Sequence, residues 1–213
     1  MPDGPSPTRR GLLQAGALLP VAAVLASCGE DEDAARAASP ASAGTPATLA
    51  ATPSCGDGDA DPTEAQTEGP YFTPGSPQRR SLLQRGVRGS RLIVTGRVLT
   101  TDCRPAARAL LDVWQADGRG VYDNRGYRLR GHQFTDAQGR YRLETVFPGL
   151  YPGRTRHIHV KVQARGGPIL TTQIYFPGVP QNASDGIFDP DLLVSLRRSG
   201  GVRRARFDFV VER

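Results

Sequence analysis

The stretch that decides the fold is Tyr151–His159, which reads Tyr-Pro-Gly-Arg-Thr-Arg-His-Ile-His. His157 and His159 lie two positions apart, and the residues that follow, Val160–Gln163, alternate and include β-branched side chains. This pattern predicts a strand, in which side chains two positions apart project from the same face. Both imidazoles then face one point, as in half of a metal site. The alternative is a pair of ordinary strand histidines that face solvent or a polar neighbour.

Composition separates an N-terminal region from the rest of the 213 residues. Residues 1–28 are similar to an export signal, because the twin-arginine pattern Thr8–Leu13 precedes a short apolar run that ends in Leu-Ala-Ser-Cys. This ending resembles the lipobox of bacterial lipoproteins. The resemblance implies cleavage before Cys28, lipidation of its sulfur, and anchorage at the periplasmic or extracellular face of the cell envelope. A plain secretory signal, in which Cys28 has no role, is the alternative.

The remaining chain divides into a tether and one domain. Residues 29–60 contain almost no large apolar side chains, which predicts a disordered Ala/Ser/Thr/Pro linker. The domain is expected over residues 61–213, where short strand patterns separated by Gly, Pro and Asp turns predict an all-β sandwich. The predicted strands are Arg91–Leu99, Ala109–Ala116, Arg140–Val146, the strand from His157, Ile169–Phe176 and Arg206–Val211. Asp189–Arg198 is compatible with one short helix capped by Asp189.

The charge of the chain does not indicate a nucleic-acid partner. The net charge of +6 comes from scattered arginines, since Lys161 is the only lysine. A nucleic-acid-binding protein usually concentrates its positive charge in a stripe with a recognisable motif, and the sequence shows neither.

Two cysteines remain once Cys28 is set aside. Because an exported chain meets an oxidising compartment, a disulfide between Cys55 and Cys103 is expected. Thiolate ligation of a metal is the competing interpretation, but two isolated cysteines lack the paired spacing of such sites.

Two tyrosines follow turns beside predicted strand ends. Tyr122 closes the glycine-rich run from Asp117, and Tyr151 follows the Phe-Pro-Gly turn that begins at Phe147. Each tyrosine alone would be read as a packing residue. Together with the histidine pair, they would supply two neutral nitrogens and two anionic oxygens, a hard donor set that suits ferric iron. The spacing leaves open whether the tyrosines reach the histidines.

The chain resembles the intradiol ring-cleavage dioxygenases, the family of catechol 1,2-dioxygenase and protocatechuate 3,4-dioxygenase. The matching segments follow the family's order between about Thr63 and Phe176. They are Thr67–Phe72, Leu111–Ala116, Gly120–Tyr122, Phe147–Tyr151, Arg154 with His157–His159, and Leu170–Ile174. The resemblance implies a β-sandwich, in agreement with the strand pattern.

The resemblance also implies roles for individual residues. The family's four ligands of one non-haem Fe(III) per chain fall on Tyr122, Tyr151, His157 and His159. Its catalytic arginine and active-site glutamine fall on Arg154 and Gln173, and Tyr151 is expected to leave the iron and take up a proton. Residues that would line the substrate pocket are Gly69, Pro70 and Tyr71. His132 matches no ligand position and is expected in a surface loop, whereas Trp114 is expected in the core.

The implied reaction is cleavage of a catechol-type ring by O2 between its two hydroxyl-bearing carbons, giving a cis,cis-muconate-type product. One alternative is a non-catalytic lipoprotein that uses the sandwich to bind a metal, a catechol or a glycan. Another is a purely structural domain. Neither alternative needs Arg154 and Gln173 beside four metal ligands. The sequence leaves open the ring substituents of the substrate and the oligomeric state, a homodimer being one option.

Overall fold

The fold is an all-β sandwich, as predicted. The structure, a computed structural model, describes residues 60–213, and within them it contains nine strands, two short 3-10 helices and no α-helix. The strands are β1 Arg91–Thr100, β2 Leu110–Trp114, β3 Arg130–Phe134, β4 Arg140–Val146, β5 His157–Gln163, β6 Ile169–Tyr175, β7 Ser195–Ser199, β8 Val202–Arg206 and β9 Phe209–Val211. The 3-10 helices are Pro180–Ala183 and Pro190–Leu192. In this part of the chain, no helix has the length and apolar character needed to cross a membrane.

The two sheets differ in topology. One has the order β4-β1-β8-β7, and β9 pairs with the C-terminal end of β1. The other has the antiparallel order β3-β2-β5-β6. In this second sheet β5 is central, so that His159 lies opposite Trp114 of β2 on one side and Gln173 of β6 on the other. The pairing therefore brings three of the residues singled out in the sequence into one row.

The core lies between the sheets, and from β5 it takes alternate residues. These are Ile158, Val160 and Val162, none more than 2% exposed. They belong to one large cluster with side chains of the other sheet such as Leu92 and Phe207. Burial of a large aliphatic side chain stabilises the fold by roughly 1.5–3 kcal/mol. Because the core uses the even-numbered positions of β5, its two histidines project from the opposite face.

An extended segment before β1 links the edges of the two sheets. Gln78 bridges to His132 of β3, and Ser81 bridges to Glu144 of β4. Leu82 donates its backbone N–H to the Glu144 carbonyl at 2.8 Å, and its side chain is fully buried in the core. His132 is therefore a half-buried residue of β3, with Nδ1 2.7 Å from the Ser76 carbonyl oxygen, and the prediction of a surface loop there is wrong.

Two further predictions of secondary structure need correction. The helix expected over Asp189–Arg198 is reduced to the 3-10 turn Pro190–Leu192, where the Asp189 side chain accepts from the Asp191 N–H at 2.9 Å. The following residues form β7 at the edge of a sheet. The strand expected over Arg206–Val211 is instead the end of β8 and the whole of β9. It is broken because β8 and β9 pair with successive halves of β1.

Several predictions fall on residues that the structure does not describe. These are the export signal, the lipidation at Cys28, the tether up to residue 59, and Cys55. Cys103 lies in the turn that follows β1, with φ of 58°. The anchor, the export route and the Cys55–Cys103 disulfide therefore stay predictions.

Candidate metal centre and active site

The histidine pair lies on the face of β5 that turns away from the core. His157 and His159 are only 4% and 3% exposed, and their ring centroids are 4.7 Å apart. Their cover comes from loop residues and from Trp114 of the neighbouring strand β2, and not from the other sheet. A Cβ atom placed on Gly69 would lie 3.5 Å from Cε1 of His159. The two imidazoles are therefore neighbours in a buried pocket.

A small aromatic cluster, separate from the core, surrounds the histidines. Its buried members are Trp114, Ala116 and Tyr122, with Tyr71, Phe72 and Tyr151 packed against them. Trp114 stacks on His159 with a centroid distance of 4.9 Å and an interplanar angle of 5°. Trp114 is buried, as expected, but it packs beneath the site instead of between the sheets.

Of the two tyrosines proposed as ligands, Tyr122 contacts a histidine and Tyr151 packs against Tyr122. The Tyr122 hydroxyl lies 3.0 Å from Nε2 of His157, and the Tyr122 and Tyr151 rings are 5.7 Å apart. Tyr71 joins the group, because it stacks on Tyr122 at 4.6 Å and its hydroxyl is 2.6 Å from the Tyr151 hydroxyl. Three phenol groups and two imidazoles thus share one pocket.

Two glycines explain how loops that are distant in sequence deliver these tyrosines. Gly120 and Gly149 each precede a tyrosine by two positions, and both donate their N–H to the Asp117 carbonyl, at 3.0 and 2.7 Å. A Cβ on Gly120 would lie 1.9 Å from the Leu150 carbonyl oxygen, and a Cβ on Gly149 would lie 2.2 Å from the Gly120 nitrogen. Because only glycine permits this contact, the two backbones meet and fix the spacing of Tyr122 and Tyr151.

Burial keeps both imidazoles neutral. It lowers the pKa of His157 to about 4, against the opposing effect of the hydrogen bond to the Thr155 carbonyl. Burial, followed by the nearby charges of His157, Arg154 and Arg130, also lowers the pKa of His159 well below its ordinary value. Nδ1 of His157 donates to Thr155 at 2.7 Å, so its Nε2 presents a lone pair towards Tyr122.

The Tyr122 and Tyr71 phenols are protonated in the absence of a cation. Burial raises the pKa of Tyr122 well above its ordinary value, although the charges of Arg154 and Arg130 oppose the shift. The hydrogen bond to Tyr151 raises the pKa of Tyr71. A cation bound among these oxygens would reverse the effect of burial, since it favours the phenolate.

The donor set fits a metal ion held by nitrogen and phenolate oxygen. Residues 60–213 contain no metal-binding group of three or more His, Cys, Asp or Glu side chains, so a metal here requires tyrosine. The 3.0 Å between Tyr122 Oη and His157 Nε2 suits neighbouring donors that are each about 2 Å from one ion. Nδ1 of His159 is buried without a hydrogen-bond partner, which is costly in a site that binds nothing polar.

Arg154 and Gln173 lie beside this group and contact each other. Nη2 of Arg154 donates to Oε1 of Gln173 at 2.7 Å, and Nε2 of Gln173 donates to the Thr67 carbonyl at 3.0 Å. An open cleft of about 410 Å³ borders Arg154 and is lined by Leu150–Arg154, Gln181 and Ser184. Such a volume accommodates a small aromatic molecule. None of Gly69, Pro70 and Tyr71 is among its lining residues; Gly69 covers His159, and Tyr71 contacts Tyr122 and Tyr151.

Two buried charged residues beside the site were not singled out in the sequence. Asp185 forms an ion pair with Arg154 at 2.9 Å, and its side chain is 1% exposed. Arg130, 2% exposed, donates from Nε and Nη2 to the Asp123 carbonyl at 3.1 and 2.8 Å and from Nη1 to the Tyr71 carbonyl. No pattern marks either residue, because Asp185 lies in an Asn-Ala-Ser-Asp-Gly turn and Arg130 is one arginine among many.

Comparison with known proteins agrees with this geometry. Residues 67–212 match the family model described as Dioxygenase. The chain is 34% identical to chlorocatechol 1,2-dioxygenase from Pseudomonas sp. (strain P51) over 174 residues, which cover 68% of this chain and 69% of that protein. It is 39% identical to the protocatechuate 3,4-dioxygenase beta chain from Burkholderia cepacia over 118 residues, which cover 47% of this chain and only half of that protein.

Solved structures give the same result. The dioxygenase domain of a dioxygenase carbohydrate-binding protein fusion from Streptomyces sp. SirexAA-E superposes with a TM-score of 0.69 and 55% identity, covering 71% of this chain and 99% of that domain. For 3-chlorocatechol 1,2-dioxygenase from Rhodococcus opacus 1CP the TM-score is 0.66 and the identity 30%, with coverage of 71% and 72%. The chain therefore belongs to the intradiol ring-cleavage dioxygenases and is an enzyme of that type.

Proposed function

We propose that this enzyme holds one ferric ion per chain through Tyr122, Tyr151, His157 and His159. With O2 it would cleave a catechol-type diol between the hydroxyl-bearing carbons and form a cis,cis-muconate-type product. The observation that carries the proposal is the approach of the Tyr122 hydroxyl to Nε2 of His157 at 3.0 Å, beside a second imidazole in the same buried pocket.

Each donor is in a form suited to this role. The low pKa of His157 and His159 keeps their nitrogens unprotonated at neutral pH. Deprotonation of Tyr122 and Tyr151 would supply two negative charges, which offset part of the charge of a ferric ion. When bound, ferric iron supplies Lewis acidity towards the two oxygens of a diol.

Tyr151 and Tyr71 are suited to hold a proton. A diol that binds through both oxygens would release two protons; Oη of Tyr151 would accept one of them when it is not a ligand, and the other would pass to solvent. The Tyr71 hydroxyl, 2.6 Å away, would hold the protonated Tyr151 in place. The segment Gly69–Tyr71, which covers His159 and Tyr151, would also exclude water from the metal centre.

Arg154 and Gln173 would act on the substrate. Arg154 lines the cleft next to Tyr151, so its guanidinium would stabilise negative charge that develops on the diol and its product. Such stabilisation is largest where water is excluded and the charge is already positioned. Gln173 would orient Arg154 through the 2.7 Å hydrogen bond and would contribute a polar contact near the reacting atoms.

The test is oxygen uptake by iron-loaded protein with catechol, protocatechuate, hydroxyquinol and chlorocatechol, with products identified by mass. We expect one iron per chain, a red colour from phenolate-to-iron charge transfer, and a product that contains the substrate plus both atoms of O2. A protein that binds a catechol without consuming O2 would support the alternative of a binding lipoprotein. Colourless protein without iron would refute the proposed metal centre.

On the sequence grounds given above, we also propose export by the twin-arginine route and lipid anchorage at Cys28. Mass spectrometry of the mature protein tests the anchor and also the predicted disulfide. A lipid-modified N-terminal Cys28 is expected, and a peptide linking Cys55 to Cys103 is expected before reduction. A mature N-terminus elsewhere would refute the anchor, and two free thiols would refute the disulfide.

A further inference from the structure

Asp185 is a buried carboxylate whose two oxygens are both used by the Arg154 corner of the site. Oδ2 accepts from the Thr155 N–H at 2.8 Å and from Nε of Arg154 at 2.9 Å. Oδ1 accepts from Nε of Arg154 at 3.1 Å and from the Ile187 N–H at 3.2 Å. The side chain of Asp185 is 1% exposed, whereas that of Arg154 is 20% exposed.

This carboxylate is ionised and has one cationic partner among residues 60–213, Arg154. Burial by itself opposes its ionisation, but hydrogen bonds from the N–H groups of Thr155 and Ile187 and from Arg154 outweigh burial and lower the pKa of Asp185. A buried carboxylate is tolerated only where such partners compensate it. An ion pair with hydrogen bonds therefore links the loop that carries Asp185 to Arg154.

The guanidinium of Arg154 is fixed on two of its three nitrogens. Nε is held by Asp185, and Nη2 donates to Gln173 at 2.7 Å and to the Tyr175 hydroxyl at 3.3 Å. Nη1 makes no hydrogen bond to any residue in the described part of the chain. Arg154 lines the cleft and Asp185 does not. Because Nε and Nη2 of Arg154 are already held, the N–H groups of Nη1 remain for a ligand in the cleft.

The same carboxylate also fixes the backbone that leads to the histidines. It accepts from the Thr155 N–H, and the Thr155 carbonyl in turn accepts from Nδ1 of His157 at 2.7 Å. The Thr155 hydroxyl donates to Asn182, in the same loop as Asp185, at 2.5 Å. One loop thus holds both the guanidinium and the peptide that selects the tautomer of His157.

We infer that Asp185 is a positioning residue of this active site, which acts by holding Arg154 in the orientation that meets the substrate. The inference rests on the proposed function, in which Arg154 stabilises charge on the diol. Asp185 does not line the cleft, so it can act on turnover through Arg154 or through the Thr155 peptide that holds His157. We assign the effect to Arg154, and it is therefore expected to disappear when Arg154 is absent.

A double-mutant cycle tests this. We expect Asp185→Asn, which is nearly isosteric, to lower kcat/KM by about 100-fold, as for a misplaced catalytic group, with iron content and visible absorption unchanged. In the Arg154→Ala background the same substitution should change kcat/KM by no more than about twofold. Asp191→Asn, the same chemical change at an exposed position of the next turn, is the matched control and should behave like the wild type.

The outcomes separate the inference from the proposed function. Equal losses caused by Asp185→Asn with and without Arg154 would show a general structural role and would overturn the positioning role alone. A kcat/KM of Asp185→Asn equal to that of the wild type would also overturn the positioning role. A wild-type enzyme that consumes no O2 with any catechol would overturn the proposed function, and the inference with it.

A second measurement covers the case in which Asp185→Asn does not fold. Added guanidinium ion should restore part of the activity of Arg154→Ala in a saturable manner, because the carboxylate that holds the missing group is still present. Ammonium ion at the same concentration should not, since it lacks the planar fork. No recovery with guanidinium would overturn the inference.

Discussion

Over its first four residues, His157–Val160, the two faces of β5 are equally buried and chemically opposite. Ile158 and Val160 on one face are 0% and 2% exposed, and His157 and His159 on the other are 4% and 3% exposed. The first face is covered by aliphatic side chains of the facing sheet, and the second by the aromatic cluster and the turn at Gly69. Burial alone therefore does not mark the site.

What distinguishes the faces is the state of their polar atoms. The core face presents only hydrocarbon, whereas Nδ1 of His159 is buried without a partner and Nε2 of His157 receives only the Tyr122 hydroxyl. A buried polar atom without a partner lowers the stability of the fold by about 1–3 kcal/mol. The core face of β5 has no such atom, whereas the site face has one. Substitutions on the core face should thus change stability, and substitutions on the site face should change iron and turnover.

The largest contrast is expected between His157→Ala and Ile158→Ala, which are adjacent in the strand. His157→Ala removes a ligand, so iron content and oxygen uptake should fall to background. Ile158→Ala should lower the free energy of unfolding by about 2–5 kcal/mol, while the folded protein keeps one iron per chain. Metal analysis and denaturant titration of both variants make the comparison. Retention of iron by His157→Ala would remove the distinction between the faces.

The next effect concerns the backbone contact that delivers the tyrosines. Gly120→Ala should lose its iron and most of its activity, because the added Cβ would lie 1.9 Å from the Leu150 carbonyl oxygen. Gly166 is a matched control, since it also has a positive φ, 79°, but its Cβ would meet nothing within 4 Å. Gly166→Ala should lower the free energy of unfolding only through backbone strain, by about 1–2 kcal/mol. This variant should keep its iron. Equal behaviour of the two variants would contradict the role assigned to the contact.

A pH effect should belong to the site face. In metal-free protein the pKa of His157 is about 4, below its ordinary 6.5, so between these values the unfolded chain binds a proton that the folded chain does not. The free energy of unfolding should then fall as pH drops from about 6.5 to about 4, by up to about 3 kcal/mol from this group. Denaturant titrations across this range should show a shallower pH dependence for His157→Gln. An identical dependence in both proteins would count against the buried neutral imidazole.

The smallest effect is expected at the sheet edge, remote from both faces. Arg197 and Arg204 lie directly opposite each other on β7 and β8, and both are exposed. Arg197→Glu should stabilise the protein by about 0.2–1 kcal/mol, because it replaces a like-charge pair by an opposite one. Iron content and oxygen uptake should not change. A loss of either would show that the edge is coupled to the site.

The sequence predicted the strands that carry an apolar alternation, including β4 and β6 at sheet edges, and missed the polar strands β3 and β7. Val160–Gln163 alternates because one face of β5 is core, and this alternation is readable without a structure. Strand β7 consists mainly of serine and arginine, and β3 carries His132 among polar neighbours, so neither shows the apolar period of a half-buried strand.

The candidate site was predictable only in part, for a related reason. The two Gly-x-Tyr pairs and His-x-His are local patterns, and they suggest donors without showing that the donors meet. Asp185 binds Arg154 across 31 positions, and Arg130 binds Tyr71 across 59. Each of these contacts follows from loop packing, and a single aspartate or arginine in a turn gives no local signal of it.

The most direct test of the central claim is anomalous diffraction at the iron absorption edge from crystals of iron-loaded protein. We predict one peak per chain on the outer face of β5. It should lie within about 2 Å of Oη of Tyr122 and Tyr151 and of one imidazole nitrogen from each of His157 and His159. An iron peak at another place, or the absence of a peak from this pocket in active protein, would contradict the account.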